Sequence, residues 1–158
     1  DVIEIFYRIQ SKIKSRLIIV GDGPDRVKAS NLAKKLGIKD KVIFLGKSNE
    51  VERILCYSDL FLLPSEKESF GLAALEAMAH RVPVISSNSG GLPEVNIHGV
   101  SGFLSDVGDV ESMAKHAIHI LSNEEILDTF KNNARKIAEK FDVENVVCRY
   151  EALYKKMI

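Results

Sequence analysis

The chain is 158 residues long, 46% hydrophobic and 28% charged, with 22 Lys plus Arg balanced by 22 Asp plus Glu. That describes one globular domain with a single core, far from the disordered, collagenous and disulfide-rich extremes. A formal net charge of zero argues against a dedicated nucleic-acid binder, whose phosphate contacts need an excess of Lys and Arg, and leaves a small molecule or another protein as the expected partner.

Residues 1–13 place Val2, Ile3, Phe6, Ile9 and Ile13 at helical spacing. A helix at the first residue, with no secretory signal pattern, reads as a chain that opens in mid-fold, a piece of a longer protein. Residues 16–20 (RLIIV) then form a short apolar run that ends in Gly21-Asp22-Gly23-Pro24, a buried strand entering a turn. Pro24 suits the first turn of a helix continued by Val27, Leu32, Ala33 and Leu36 up to Gly37.

The unit recurs. A strand over 41–45 precedes a helix around 49–57, a strand over 59–63 precedes a helix over 69–80, and a strand over 82–86 precedes a Gly-Gly turn and a short strand near 102–104. Apolar strands alternating with helices are the signature of a parallel sheet covered on both faces. The expected fold class is α/β, a doubly wound Rossmann-like parallel sheet followed by C-terminal helices over 110–121, 124–140 and 142–158. Asn123 before Glu124 and Glu125 is the expected cap of the second of these. The third carries an apolar face of Val143, Val146, Val147, Tyr150, Leu153 and Tyr154, which makes a homo-oligomer an expectation.

Cys56 and Cys148 lie far apart and are no disulfide framework; two reduced thiols point to a cytoplasmic protein. No apolar run reaches the roughly 18 residues that a membrane span needs.

In open α/β sheets ligands bind beyond the carboxyl ends of the strands, and three turns there are candidates. Gly21 and Gly23 sit where a dinucleotide fingerprint would begin, but Arg26 stands where that motif needs Gly. Their turn either brings backbone N–H groups to a ligand or is simply a tight βα turn. In the second, Ser69 is positioned to cap a helix whose first N–H groups, at Phe70, Gly71 and Leu72, favour phosphate. Glu76 follows about two turns on, among Leu72, Ala73, Leu75, Ala77 and Met78. A carboxylate in such burial-prone company needs partners, and a ribose diol would supply them. The third turn, 86–94 (SSNSGGLPE), is either another close-approach phosphate loop or a plain turn.

The motifs G-D-G-P at 21–24, F-L-G at 44–46, S-D-L-F-L-L-P-S at 58–65, E-S-F-G-L-x-x-L-E-A-M-A at 68–79, P-V-I at 83–85 and G-G-x-P-E at 90–94 together resemble the C-terminal, nucleotide-sugar-binding domain of family 4 retaining glycosyltransferases of the GT-B fold. The likeness covers nearly all of residues 1–158, and the E-x7-E pair Glu68 and Glu76 is its most specific element.

The resemblance implies that Glu68 contacts the donor sugar and serves catalysis, that Glu76 holds the ribose hydroxyls, and that the N–H groups of Phe70, Gly71 and Leu72 meet the sugar and diphosphate. The loop over 46–49 would pass near the nucleobase. S-E-K-E-S-F-G-L with G-D-G-P and F-L-G-K resembles those members that move N-acetylglucosamine from a UDP donor to L-malate. The implied reaction is hexosyl transfer with retention from a UDP-sugar, without metal or other cofactor. A UDP-sugar epimerase of the same fold and a non-catalytic nucleotide-binding domain are the alternatives.

His80, His98, His116 and His119 offer no metal-ligand cluster; His116 and His119 share a helix face without Asp, Glu or Cys beside them. Two departures from the family pattern stand out. His80-Arg81 replaces the usual Gly before the V-P-V strand, with Arg81 expected at the surface. The family's phosphate-binding Arg and Lys would precede Asp1, as would the acceptor-binding domain, so the isolated chain is expected to bind donor weakly and to turn over nothing.

Overall fold

The computed structural model describes residues 1–144, 147, 151 and 153–155. In chain order the elements are α1 Val2–Gln10, β1 Leu17–Val20, α2 Arg26–Lys35, β2 Val42–Gly46, α3 Val51–Cys56, β3 Phe61–Leu63, α4 Leu72–Ala79, β4 Val84–Ser87, α5 Leu92–Val95, β5 Gly102–Ser105, α6 Val110–Leu121 and α7 Glu124–Ala138, with short 3₁₀ turns at Lys39–Lys41 and Glu139–Phe141. The α/β class stands, with every strand pair parallel. The pairing comes in two pieces, β1 with β2 and β3–β4–β5, rather than one continuous sheet.

The alternating side chains of β3–β5 explain the layering. Phe61, Leu63, Val84 and Leu104 face a cluster made with Leu55 of α3, Ala74, Ala77 and Met78 of α4, and Ala134 and Ala138 of α7. Leu62, Ile85 and Phe103 face the opposite cluster, made with Ile5 and Ile9 of α1 and Met113, Ala117 and Ile120 of α6. Helices therefore cover both faces, as a period of two along each strand requires. On its other stripe α1 places Ile3 and Phe6 against Val42, Ala33 and Ile38, so one helix seals both sheets. Each such fully buried side chain contributes about 2 kcal/mol.

β1 and β2 depart from the expectation of full burial. Ile18, Ile43 and Leu45 are exposed, because α1 and α2 cover one face of that pair and no described helix covers the other. Val27 also points outward, at 68% exposure, and Pro24 lies in the turn two residues before α2 begins. At the end of α4, Arg81 has a φ of 64°, the left-handed conformation for which the family's Gly is suited. It lies on the surface as expected, its guanidinium donating to Asn132 Oδ1 at 2.7 Å.

Local signals held where the chemistry is local. Asn123 Oδ1 accepts from the N–H groups of Glu125 and Ile126 at 2.8 and 3.1 Å, and Asp109 caps α6 by accepting from Ser112 N–H at 2.9 Å. The expected helix over 142–158 falls partly outside the described residues, among them Val146, Cys148 and Tyr150. Val143, Val147, Leu153 and Tyr154 are exposed, and Cys56 is a free, exposed thiol.

A buried polar knot fixes the crossover between β4 and β5. The Asn96 amide nitrogen donates to Val84 O at 3.1 Å, Ser86 Oγ at 3.0 Å and Phe103 O at 3.3 Å, while its oxygen accepts from Ser101 Oγ at 3.1 Å. Asn96, Ser86 and Ser101 are all fully buried. Beside it, His116 stacks on Phe103 with ring centroids 4.4 Å apart and His98 meets His116 edge to face. Burial holds the His116 ring below the ordinary histidine value of 6.5, assisted by the charges of His98, Lys115 and His119 and opposed by Asp109. His98 Nδ1 accepts from Leu104 N–H at 3.1 Å.

Two predictions follow from this corner. Asn96→Ala removes four hydrogen bonds from a buried corner, those to Val84 O, Ser86 Oγ, Phe103 O and Ser101 Oγ, and should lower the unfolding free energy by about 2 to 3 kcal/mol; a denaturation midpoint equal to the parent would contradict it. Because the folded state favours neutral His116, the stability it contributes is complete above pH 6.5 and is lost as pH falls through its lowered folded value. Urea midpoints should drop from pH 7.5 toward pH 5, and the drop should shrink in His116→Gln.

Candidate functional site

β3 ends at Leu63 and the chain crosses residues 64–71 without helix or strand before α4 begins at Leu72. Ser69 does not cap this helix. The cap position belongs to Gly71, whose φ of 97° puts it where a side chain is strained; a Cβ there would also stand 2.8 Å from Leu92 Cδ2. The first free N–H groups of α4 therefore belong to Leu72, Ala73 and Ala74 rather than to Phe70, Gly71 and Leu72. Ser69 and Phe70 are exposed and Gly71 is buried.

No side chain caps α4; Glu68 instead holds amides of the loop that precedes it. Its half-buried carboxylate accepts from Ser69 N–H at 3.1 Å and from Gly71 N–H at 3.3 Å through one oxygen, Oε1. The two amides form a small anion-holding turn, occupied by the protein's own carboxylate.

Glu76 is exposed, so the argument that burial forces it to find partners does not hold. The burial-prone neighbours divide by face: Ala74, Ala77 and Met78 point into the core, while Leu72, at 64% exposure, and Ala73 share the open side with Glu76. An apolar, solvent-open stripe with one carboxylate is a surface suited to an amphipathic ligand. Glu76 also lines a recess of about 240 Å³ with Leu75, Ala79, Arg135, Ala138 and Phe141. Arg135 is engaged there, Nε donating to Glu139 Oε1 at 2.9 Å and Nη1 to the Ala79 carbonyl. That recess is the seam between α4 and α7 and includes no residue of the Glu68 loop.

The other two turns behave differently. Gly21 N–H donates to Gly46 O at 2.7 Å, joining the ends of β1 and β2, and Gly23 N–H donates to Asp22 Oδ1 at 3.0 Å. A Cβ on either Gly21 or Gly23 would meet nothing within 4 Å, so the turn has open space above it. Arg26, noticed in the sequence only as the residue that spoils a fingerprint, pairs with Asp22 at 3.6 Å and reaches Gly46, placing a cation between the first turn and the 46–49 loop.

The Gly90-Gly91 turn makes its close approach to protein. It packs against the Glu68 loop, with Ser89 Oγ donating to Glu66 O at 2.9 Å. Ser87 and Ser89 were not singled out from the sequence, where serines in a turn carry no partner information.

Among the described residues no group of three or more His, Cys, Asp or Glu is arranged to hold a metal ion, and no helix is long and apolar enough to cross a membrane. His116 is half-buried against Phe103, a packed ring.

Comparison with known proteins adds three findings. The family model described as "Glycosyl transferases group 1" matches residues 1–137. The chain is 45% identical over 155 residues to N-acetyl-alpha-D-glucosaminyl L-malate synthase of Bacillus anthracis, covering 98% of this chain and 41% of that protein, and 34% identical to 2-deoxystreptamine N-acetyl-D-glucosaminyltransferase of Niallia circulans, covering 88% and 36%. Among solved structures, Anabaena Alr3699/HepE in complex with UDP superposes with a TM-score of 0.87 at 28% identity over 99% of this chain and 45% of that one. S. aureus TarM, at 0.88 and 21% identity over 97% and 32%, shares the fold. The chain thus spans less than half the length of each of these proteins.

Proposed function

This chain belongs to the group 1 glycosyl transferases, and we propose that it forms the donor-binding part of an enzyme that transfers a hexosyl group from a UDP-sugar, with N-acetylglucosamine as the sugar and L-malate as the acceptor of the whole protein. The observation that carries this reading is the layout of the E-x7-E pair. Glu68 sits on the loop leaving β3 and Glu76 on the open face of the helix that follows, at the carboxyl end of a strand where α/β sheets bind ligands. The 45% identity to a protein named as an N-acetylglucosaminyl L-malate synthase supports the sugar and the acceptor, and the UDP in the Anabaena structure supports the base.

The roles divide by support. Glu76, on a helix anchored in the core by Ala74, Ala77 and Met78, accepts hydrogen bonds from the ribose diol beside the exposed Leu72 and Ala73. Glu68 accepts from hydroxyls of the donor sugar. Phosphate charge meets the amino end of α4, where free N–H groups and the helix dipole favour an anion; as the diphosphate leaves, the same fixed donors stabilise the growing charge without reorganising. A donor oxygen that takes the N–H of Ser69 or Gly71 displaces Glu68 from it, which frees that carboxylate for the sugar. Gly21, Gly23 and Arg26 border the same ligand from the first turn. Further cationic side chains and the acceptor site are assigned to the part of the relatives' length that this chain does not span.

Calorimetric titration with UDP, GDP and ADP tests the reading. The full-length protein should bind UDP in preference to the others, and Glu76→Ala should weaken UDP by about ten- to a hundredfold, the loss of charge-assisted hydrogen bonds. A full-length protein that is folded yet binds none of the three would overturn it.

A further inference from the structure

The loop 64–71 has no regular hydrogen bonding of its own, yet it must hold Glu68 in one place. Its shape comes from the neighbouring segment that leaves β4. The two run alongside each other in matched order. Ser87 Oγ donates to Ser65 O, and Ser89 Oγ to Glu66 O at 2.9 Å. A Cβ on Gly90 would stand 1.5 Å from Glu68 O and 2.7 Å from Glu68 C, and one on Gly91 would stand 2.7 Å from Ser69 O and 2.9 Å from Phe70 Cα. These are backbone-on-backbone contacts with no room for any side chain.

We propose that the segment 87–92 is a template for the donor loop, with Gly90 and Ser89 as positioning residues that set the Glu68 carboxylate. The proposal rests on the reading that Glu68 meets the donor sugar. Ser87 and Ser89 fix two carbonyls of the loop, and the bare Cα of Gly90 fixes how near Glu68 lies to the end of β4. Both hydrogen bonds that Glu68 makes, to Ser69 and Gly71 N–H, begin from that position. The glycines of this turn therefore serve the neighbouring loop. Glu76 stands apart from the contacts made by Ser87 to Gly91, since the segment meets α4 through Leu92, in the core cluster with Ala74, Ala77 and Met78.

That separation supplies the test. In the full-length protein, Gly90→Ala and Ser89→Ala are compared with Ser89→Thr and the parent, with three readouts: amide exchange without ligand, UDP titration, and kcat and KM with UDP-N-acetylglucosamine and L-malate. Templating predicts faster exchange at Ser69 and Gly71 with unchanged protection in β4 and β5. Donor kcat/KM should fall on the order of a hundredfold in Gly90→Ala, as a misplacement of about 1 Å can produce, while UDP affinity persists. Ser89→Ala should shift the same readouts to a smaller extent, and Ser89→Thr should restore them. Unchanged exchange at Ser69 and Gly71 in folded variants overturns the proposal, as does a parallel loss of UDP binding and thermal stability. Should Gly90→Ala fail to fold, the Ser89 pair decides. A parent that neither binds UDP nor transfers sugar defeats the functional reading, and the exchange data still decide the template.

Discussion

The pairing of β4 with β5 depends on one buried amide. Asn96 holds carbonyls of β4 and β5 with a single nitrogen and ties the crossover between them through Ser101. A buried polar group left without partners is costly, so a fully satisfied one admits few alternative arrangements. Asn96 also closes α5, the short helix that follows directly on the segment leaving β4. The loop with Glu68 rests on that segment, which makes the placement of a surface carboxylate a consequence of hydrogen bonds inside the fold.

The site accordingly has two supports of different kinds. α4 is held by apolar packing: Ala74, Ala77 and Met78 are fully buried, and small side chains let the helix sit close to the sheet. Such packing tolerates volume-conserving change. The Glu68 loop is held by carbonyls, hydroxyls and bare Cα atoms, which tolerate almost none. A helix suits a group that must present one carboxylate at a constant height. A loop templated by another loop suits a group whose carboxylate exchanges one set of hydrogen bonds for another.

The legibility of the sequence follows the same division between local and non-local forces. The strands were readable as short apolar runs, even in β1 and β2 where one face is open, and Asn123 was readable because a cap is decided within four residues. Ser69 was misread for a tertiary reason: Gly71 takes the left-handed cap position and Glu68 fills the adjacent amides, so the helix starts three residues later than its pattern suggests. The burial argument for Glu76 fails because apolar neighbours on a helix say nothing about which face the core will take. The division of the strands into two sheets was invisible, because pairing between distant segments leaves no mark in either. Arg81 marked a break with the family pattern, but only the backbone shows that an arginine carries the left-handed turn meant for glycine.

Gly90-Gly91 illustrates how far a motif can be read. Paired glycines report that something comes close to the backbone, and chemistry alone cannot distinguish a phosphate from a peptide carbonyl as the thing that comes close. Distance decides it here: the Glu68 carbonyl occupies the position that a side chain on residue 90 would need. In a fold where ligands gather at the ends of strands, neighbouring loops crowd the same edge, and some of the glycines there are present for each other. Residues that shape a binding loop in this way lie one step removed from the ligand. Their substitution should therefore act first on where the loop places its carboxylate and only through it on the substrate.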